Sequence, residues 1–421
     1  MKNTTAETSR STLLPILIIG ILFFIFGFVT WLNGILIPYL KIACELTNFE
    51  STFVAFAFYI SYTVMALPSA WVLKKTGFKN GMMTGLWVMA IGTLVFVPAA
   101  LTRTYITFLA GLFIMGAGLA VLQTASNPYI TILGPAESAA RRISIMGIFN
   151  KLAGAAAPLI LAYFILHDGD AFVAGLSQLD ETARALALDE LARRVIAPYV
   201  VMTVVLFILG LGIRFSPLPE VESDEESAVT SEATTHHSIF SFPQLILGAV
   251  ALFLYVGAEV VAGDTIIRYG QSLGIALETA KAFTTYTLVA MVVGYVIGIV
   301  LIPRYISQHK ALLVSAILGI VFTTAAVFTS GMISVLFIAL LGLANALVWP
   351  AIWPLAIAGL GKYIKTGSAI LIMAIAGGAI LPLIWGKLAD VWSYTSAYSI
   401  LIPCYIVILL YAWKWHKMRN W

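Results

Sequence analysis

Twelve times along this chain, an apolar run of about twenty residues gives way to a short polar or charged turn; no other feature restricts the fold as much. A run of that length crosses the hydrocarbon core of a bilayer as one helix. Only helices and closed barrels satisfy every backbone N–H and C=O in lipid. The short alternating segments of a barrel are absent. The runs lie near 13–38, 51–73, 81–101, 105–131, 143–166, 197–215, 243–267, 281–302, 311–330, 332–358, 368–388 and 396–413. Charged residues make up only 10% of the chain and hydrophobic ones 61%, which excludes a soluble domain. The expected fold is an all-α membrane protein with 12 transmembrane helices. The first run has no small-residue cleavage site at its end and reads as a retained span.

Orientation follows from the basic residues. Lys74, Lys75, Lys79, Arg141, Arg142, Arg214, Arg304, Lys310, Lys362 and Lys365 all fall in turns on one side, together with both chain ends. The positive-inside rule makes that side cytoplasmic. The net charge of +4 is accounted for by this bias, and no nucleic-acid partner is expected. Cys44 and Cys404 are too few for a disulfide framework. Two connections are long. Residues 168–196 carry LDETARALALDELARR and read as an amphipathic helix at the outer surface. Residues 216–241 are acidic and Ser/Thr-rich, which is linker chemistry. His236 and His237 lie in that linker without a third ligand, so they read as solvated residues and not as a metal site. The expected organisation is therefore a six-helix bundle over 1–215, a cytoplasmic linker over 216–242 and a second six-helix bundle over 243–421.

An internal repeat supports the division. Gly118-Leu119-Ala120 recurs as Gly342-Leu343-Ala344, and Gly154 with Pro158-Leu159-Ile160 recurs as Gly378 with Pro382-Leu383-Ile384, both at an offset of 224. Gly27 and Ile37-x-Tyr39 match Gly257 and Ile267-x-Tyr269 at an offset of 230. Two six-span copies in the same orientation are similar to the architecture of the major facilitator superfamily, in which substrate binds between the halves near the midplane.

Several polar residues interrupt the apolar runs. A charge at mid-span costs roughly 2.5–3.5 kcal/mol on insertion scales, so such residues face a bundle interior or a polar path. In the first half these are Gln123, Thr124, Ser126, Asn127, Asn150 and Lys151. Through the repeat they correspond to Leu347 for Gln123, Ala351 for Asn127, Ala374 for Asn150 and Ile375 for Lys151, so the second copy lacks them. It brings Glu259 and Asp264 instead, opposite Val29 and Gly34. Asn345, Trp349 and Trp353 follow each other at four-residue spacing, which puts them on one helix face. Amides beside indole rings suit a neutral sugar, because amides bond vicinal hydroxyls and a ring stacks on the flat sugar face. The alternatives are ordinary packing for the tryptophans, bonds back to their own helix for Thr124 and Ser126, and relief of carbonyls freed by Pro128 for Asn127. Lys151 is expected to pair with Glu259 or Asp264, leaving the other carboxylate as a handle for a coupling ion. Glu259 and Asp264 lie five apart, about 140° round a helix, so they share a face only if Gly263 loosens the turn.

The segments WLNGILIPYLK, AFYISY, LQTASNPYITILGP, IFNKLAG, LYVGAEVVAGDTIIRY and WPAIWPLAIAGLG followed by TGSAILIMAIAGGAILPLIWG resemble the bacterial fucose permease and glucose/galactose porter family of that superfamily. FNKLAG and YVGAE are more like the glucose/galactose branch. The resemblance implies a secondary active transporter that takes up a hexose such as glucose or galactose by cation symport, as a monomer in the bacterial inner membrane. It implies no organic cofactor, and a coupling ion that is Na⁺ in preference to H⁺. Carried over by position, Asn33, Gln123, Asn150 and Trp349 would line the sugar site. The family's fucose/proton member has acids where this chain has Gly34 and Gln123, so the span-seven acids would replace them. A sodium ion would add oxygens from Thr30, Thr265 or carbonyls near Gly263. Lys79 and Arg304 occupy corresponding turns where the superfamily has a gating loop, and positive-inside bias accounts for them equally. The other readings are proton-coupled transport of a hexose, fucose or N-acetylglucosamine and, in a different class, a transporter-derived sensor. An enzyme is not expected: Gly270-Gln271-Ser272-Leu273-Gly274 fits a nucleophile-elbow pattern but follows a span and not a strand.

Overall fold

The computed structural model describes residues 4–46, 48–166, 169–218, 238–275, 277–280 and 282–419. The linker histidines His236 and His237 and most of the expected linker lie outside the described residues. The described chain is helical almost throughout. The first set of helices is α1 (Thr4–Trp31), α2 (Asn33–Ala43), α3 (Asn48–Thr102), α4 (Tyr105–Ile132), α5 (Ala139–Ile165), α6 (Gly169–Leu176), α7 (Glu181–Arg193) and α8 (Ile196–Phe215). The second set opens with α9 (Pro243–Asp264), α10 (Ile266–Ser272), α11 (Leu277–Ala280), α12 (Phe283–Leu301) and α13 (Gln308–Phe328). It continues with α14 (Gly331–Asn345), α15 (Val348–Ile357), α16 (Ile364–Met373), α17 (Gly377–Val391), α18 (Tyr394–Ala397) and α19 (Leu401–Trp413).

Among the described residues, eleven helical segments are long and apolar enough to cross a membrane. One of them, Phe53–Thr102, is about twice the needed length, and Gly77 interrupts it with φ +75° and ψ 178°. Only glycine adopts that backbone without strain. The segment therefore holds two spans, 51–73 and 81–101 in the sequence reading, joined at a Gly77 turn. Several spans are interrupted helices: α1 and α2 meet at Leu32, α9 and α10 at Thr265, α14 and α15 at Ala346–Leu347, and α16 and α17 across Ala374–Ala376. The third interruption precedes Pro350, which has no N–H to give to the carbonyl of Ala346.

The outer connection differs from the expected single amphipathic helix. It forms two helices, α6 and α7, and Asp180 caps the second by accepting from the Ala183 N–H at 2.7 Å. Helix α7 is tied down where the sequence showed only charge. The Tyr39 hydroxyl donates to the carbonyls of Leu191 and Ala192, both at 2.9 Å. Arg103 pairs with Asp189 at 3.2 Å and Arg184 with Glu45 at 2.7 Å. Cys44 lies under this cover, just past the end of its span; burial pushes its thiol up to about 11, against a smaller opposite pull from Arg103.

Helix α1 packs on α5 and α3 packs on α4 and α8, while α9 packs on α15 and α17 and α13 packs on α14 and α19. The two sets meet through α5 against α12 and α3 against α16. A polar cavity lies along that seam.

Candidate substrate cavity at the seam

Phe23, Phe26, Thr30 and Trp31 of α1 form one wall of the cavity, and Tyr59 and Tyr62 of α3 the next. Helix α4 contributes Gln123 and Asn127, and α5 contributes Gly147, Asn150 and Lys151. From the second set come Tyr255 and Glu259 of α9, Tyr295 of α12 and Trp349 of α15. The empty space, its open mouth included, is ≈ 810 Å³, within the usual range for small-molecule sites of about 300–1,000 Å³.

Lys151 and Glu259 form an ion pair across the seam, Nζ to Oε1, between helices 108 residues apart in sequence. Their side chains are only 7% and 14% exposed, so the pairing offsets a desolvation cost that neither residue would sustain alone. The Lys151 ammonium also stands 4.8 Å from the centre of the Trp31 ring, within cation–π range. The cavity therefore contains both charges and no net charge.

The amides are presented differently from one another. Gln123 donates from Nε2 to the Tyr62 hydroxyl at 3.3 Å. Asn127 donates from Nδ2 to the Gln123 carbonyl at 2.9 Å, on the turn that Pro128 disturbs, and its Oδ1 has no partner among the described residues. Asn150 reaches the Phe23 carbonyl at 3.4 Å. Thr124, by contrast, bonds back to Ala120 at 2.7 Å and is fully buried, as is Ser126. Trp349 stacks on Trp353 with ring centres 5.4 Å apart and planes 23° from parallel.

Four expected site residues lie off the cavity. Asn345 is 1% exposed and accepts from the Tyr405 hydroxyl at 2.9 Å, inside the second set. The interruption at Ala346–Leu347 removes it from the four-residue stripe with Trp349. Trp353 is fully buried behind Trp349 and backs that ring without reaching the cavity. Asn33 falls past the α1–α2 junction, 4% exposed, with neither side-chain amide atom partnered among the described residues. Asp264 is the last residue of α9 and does not line the cavity. The sodium ligand set does not assemble either. The Thr265 hydroxyl donates to Val261 O and is bonded to the Tyr398 hydroxyl, each at 2.6 Å. Thr284 donates to Gly263 O at 2.9 Å, and Thr30 is bonded to Tyr62. Among the described residues no three His, Cys, Asp or Glu side chains converge.

Of the two gating candidates, Lys79 donates to Ser216 O at 2.7 Å and so ties the α3 turn to the end of α8. Arg304 stands in the turn after α12, over the Tyr305 ring at 5.3 Å. The aromatic lining (Phe23, Phe26, Trp31, Tyr59, Tyr62, Tyr255 and Tyr295) was not singled out from the sequence. Phenols in the middle of apolar spans were the available signal, since a Tyr hydroxyl in hydrocarbon needs a partner.

Two helix sets of common orientation around a central polar cavity define a membrane transporter. The Major Facilitator Superfamily model matches residues 19–380, and the chain belongs to that family. It is 36% identical over 394 residues to the glucose/galactose transporter of Brucella abortus, covering 93% of this chain and 91% of the relative. It is 30% identical over 418 residues to the L-fucose-proton symporter of Escherichia coli, covering 97% and 94%. Among solved structures, it superposes on the transporter FucP in the outward conformation with TM-score 0.83 and 28% identity, over 97% of this chain and 100% of the other. The protein is thus a multi-pass membrane transporter and not an enzyme.

Proposed function

We propose that this chain takes up a neutral hexose together with a proton, by alternating access between lobes 1–215 and 243–421 in the bacterial inner membrane. The reading rests on one observation: a charge-balanced cavity in which amides and phenols surround the Trp349 indole, with an ion pair bridging the seam. Gln123, Asn127 and Asn150 would bond sugar hydroxyls, and Trp349, backed by Trp353, would stack on the apolar sugar face. Glucose or galactose is the favoured class, in line with the names of the 36% identical relatives.

The coupling ion is proposed to be H⁺, which replaces the sodium preference from the sequence. The cation position beside Glu259 is already filled by the Lys151 ammonium, and the oxygens that would complete a sodium shell are bonded elsewhere. The relatives named proton symporters agree with this choice. A proton on Glu259 would cancel its attraction for Lys151 and release one link between the lobes; Asp264 is the second carboxylate available to carry charge. Uptake of labelled glucose, galactose, fucose and N-acetylglucosamine into proteoliposomes tests the proposal, with H⁺ and Na⁺ gradients imposed separately. Accumulation of glucose or galactose under the pH gradient alone is expected. Accumulation only with Na⁺ would overturn the proton assignment, and sugar binding without any transport would favour a sensor.

A further inference from the structure

Trp31 has a position that neither sugar binding nor coupling requires. Its ring lies lengthwise across the seam. The pyrrole edge fits against Gly154 of α5, where an added Cβ would fall 2.3 Å from Cδ1 and 2.8 Å from Nε1. The opposite edge reaches Gly263 of α9, where a Cβ would stand 3.2 Å from Cη2. One indole thus touches both lobes, through two residues that have no side chain to keep it away.

Its depth is fixed by three helices at once. Helices α1, α5 and α9 run in the same direction, as the first, fifth and seventh spans. Gly154 comes one turn after Lys151, and Gly263 one turn after Glu259. The cavity residues of α5 run from Ile143 to Lys151, and those of α9 run from Tyr255 to Val260, one residue past Glu259 and short of Gly263. The ring therefore crosses the seam just past the ion pair, at the end of the cavity remote from the chain termini. The Lys151 ammonium faces the ring from the cavity side at 4.8 Å.

We propose that Trp31 is the gate over the outer end of this cavity, its indole seated between Gly154 and Gly263 and held by the Lys151 ammonium. The inference deepens the transport reading and rests on it. The seat needs both lobes, so the ring can close only when α5 and α9 are near each other. It needs the cation, so a change at the Lys151–Glu259 pair reaches the gate through a single contact. A sugar entering from outside would have to displace the indole, and the bound sugar would be shielded when it returned.

The test reads access, independently of transport. Val256 lines the cavity one turn below Glu259; Val256→Cys, in a background of Cys44→Ser and Cys404→Ser, reports entry of a membrane-impermeant methanethiosulfonate added from outside. With Trp31 present the reporter reacts slowly. Trp31→Ala is expected to raise the rate about tenfold or more by enlarging the open population, and Trp31→Phe much less. Gly263→Val, which fills the seat while keeping the tryptophan, gives the same increase, and Lys151→Met a smaller one. The Gly263→Val arm stands even if Trp31→Ala fails to insert. Unchanged labelling in Trp31→Ala, or in Gly263→Val, would overturn the gate. Because no sugar is present, this result separates from a failure of the hexose and proton assignments in proteoliposomes.

Discussion

At the scale of single residues, the ion pair between Lys151 and Glu259 governs what the cavity can do, since each charge is kept in place by the other. Removing one partner leaves an uncompensated charge in a site only 7–14% exposed, a change that costs about 3–5 kcal/mol in buried pairs. Lys151→Met should therefore lower the thermal unfolding midpoint in detergent by several degrees. Adding Glu259→Leu should restore most of it, because an apolar pair of similar size carries no desolvation penalty. If the double variant is less stable than the single one, the pair is not the source of the loss. Glu259→Gln separates coupling from binding: it keeps a hydrogen-bonding group but cannot release a proton. It should retain sugar exchange between equal concentrations and lose accumulation driven by a pH gradient, and full gradient-driven uptake would remove Glu259 from the coupling role. The cost of buried charge made both residues legible in the sequence, and their partnership was one of two open choices. The choice was settled by how α5 and α9 meet, which no local pattern encodes. Asn345 leaves the stripe because the helix is interrupted between it and Trp349, while Trp353 stays on the helix of Trp349 and sits behind that ring.

At the scale of elements, glycines decide how closely the helices approach. A Cβ on Gly27 would lie 1.9 Å from the Asn150 carbonyl oxygen, and one on Gly377 would lie 1.8 Å from that of Phe253. The two contacts echo one another. Phe23 and Phe253 are equivalent through the 230-residue offset; α5 reaches Phe23 through the Asn150 amide, and Gly377, at the start of α17, abuts Phe253 backbone to backbone. The same crossing thus recurs in both halves with different chemistry. In the half with Asn150, the crossing places an amide in the cavity. Gly377→Ala must push two backbones apart and should reduce both yield of folded protein and unfolding midpoint. Gly386→Ala, in the same helix with nothing within 4 Å of its Cβ, should be neutral or stabilising by about 0.5–1 kcal/mol. Equal midpoints for the two variants would mean that the crossing tolerates expansion. Span positions and the basic turn between the second and third runs were readable because hydropathy and charge are local. The interruptions in α1–α2 and α9–α10 were not, since they depend on the tertiary packing around them.

At the scale of the whole molecule, the seam is fastened mainly at one end. Gln308 donates to the Glu137 carbonyl at 3.3 Å, and Lys365 stands over the Phe78 ring at 5.7 Å. A Cβ on Gly147 would fall 2.5 Å from the Tyr295 ring, and Ala66, Ala70 and Ala369 form a small apolar cluster. Residues 78, 137, 308 and 365 all lie in or beside turns on the side that the basic residues mark as cytoplasmic. At the other end of the seam the indole of Trp31 lies between α5 and α9. Alternating access requires the fastened end to part, so a covalent link there should stop transport without blocking outside binding. Glu137→Cys with Gln308→Cys, in a chain without its native cysteines, supplies the link when treated with a short, reducible dithiol cross-linker. The cross-linked protein should bind sugar from outside with little change in affinity, fail to deliver it inside, and recover uptake on reduction. Single-cysteine variants treated alike should be unaffected. Uptake that persists through complete cross-linking would mean the lobes do not part at this end, and the sugar would need another way out of the cavity.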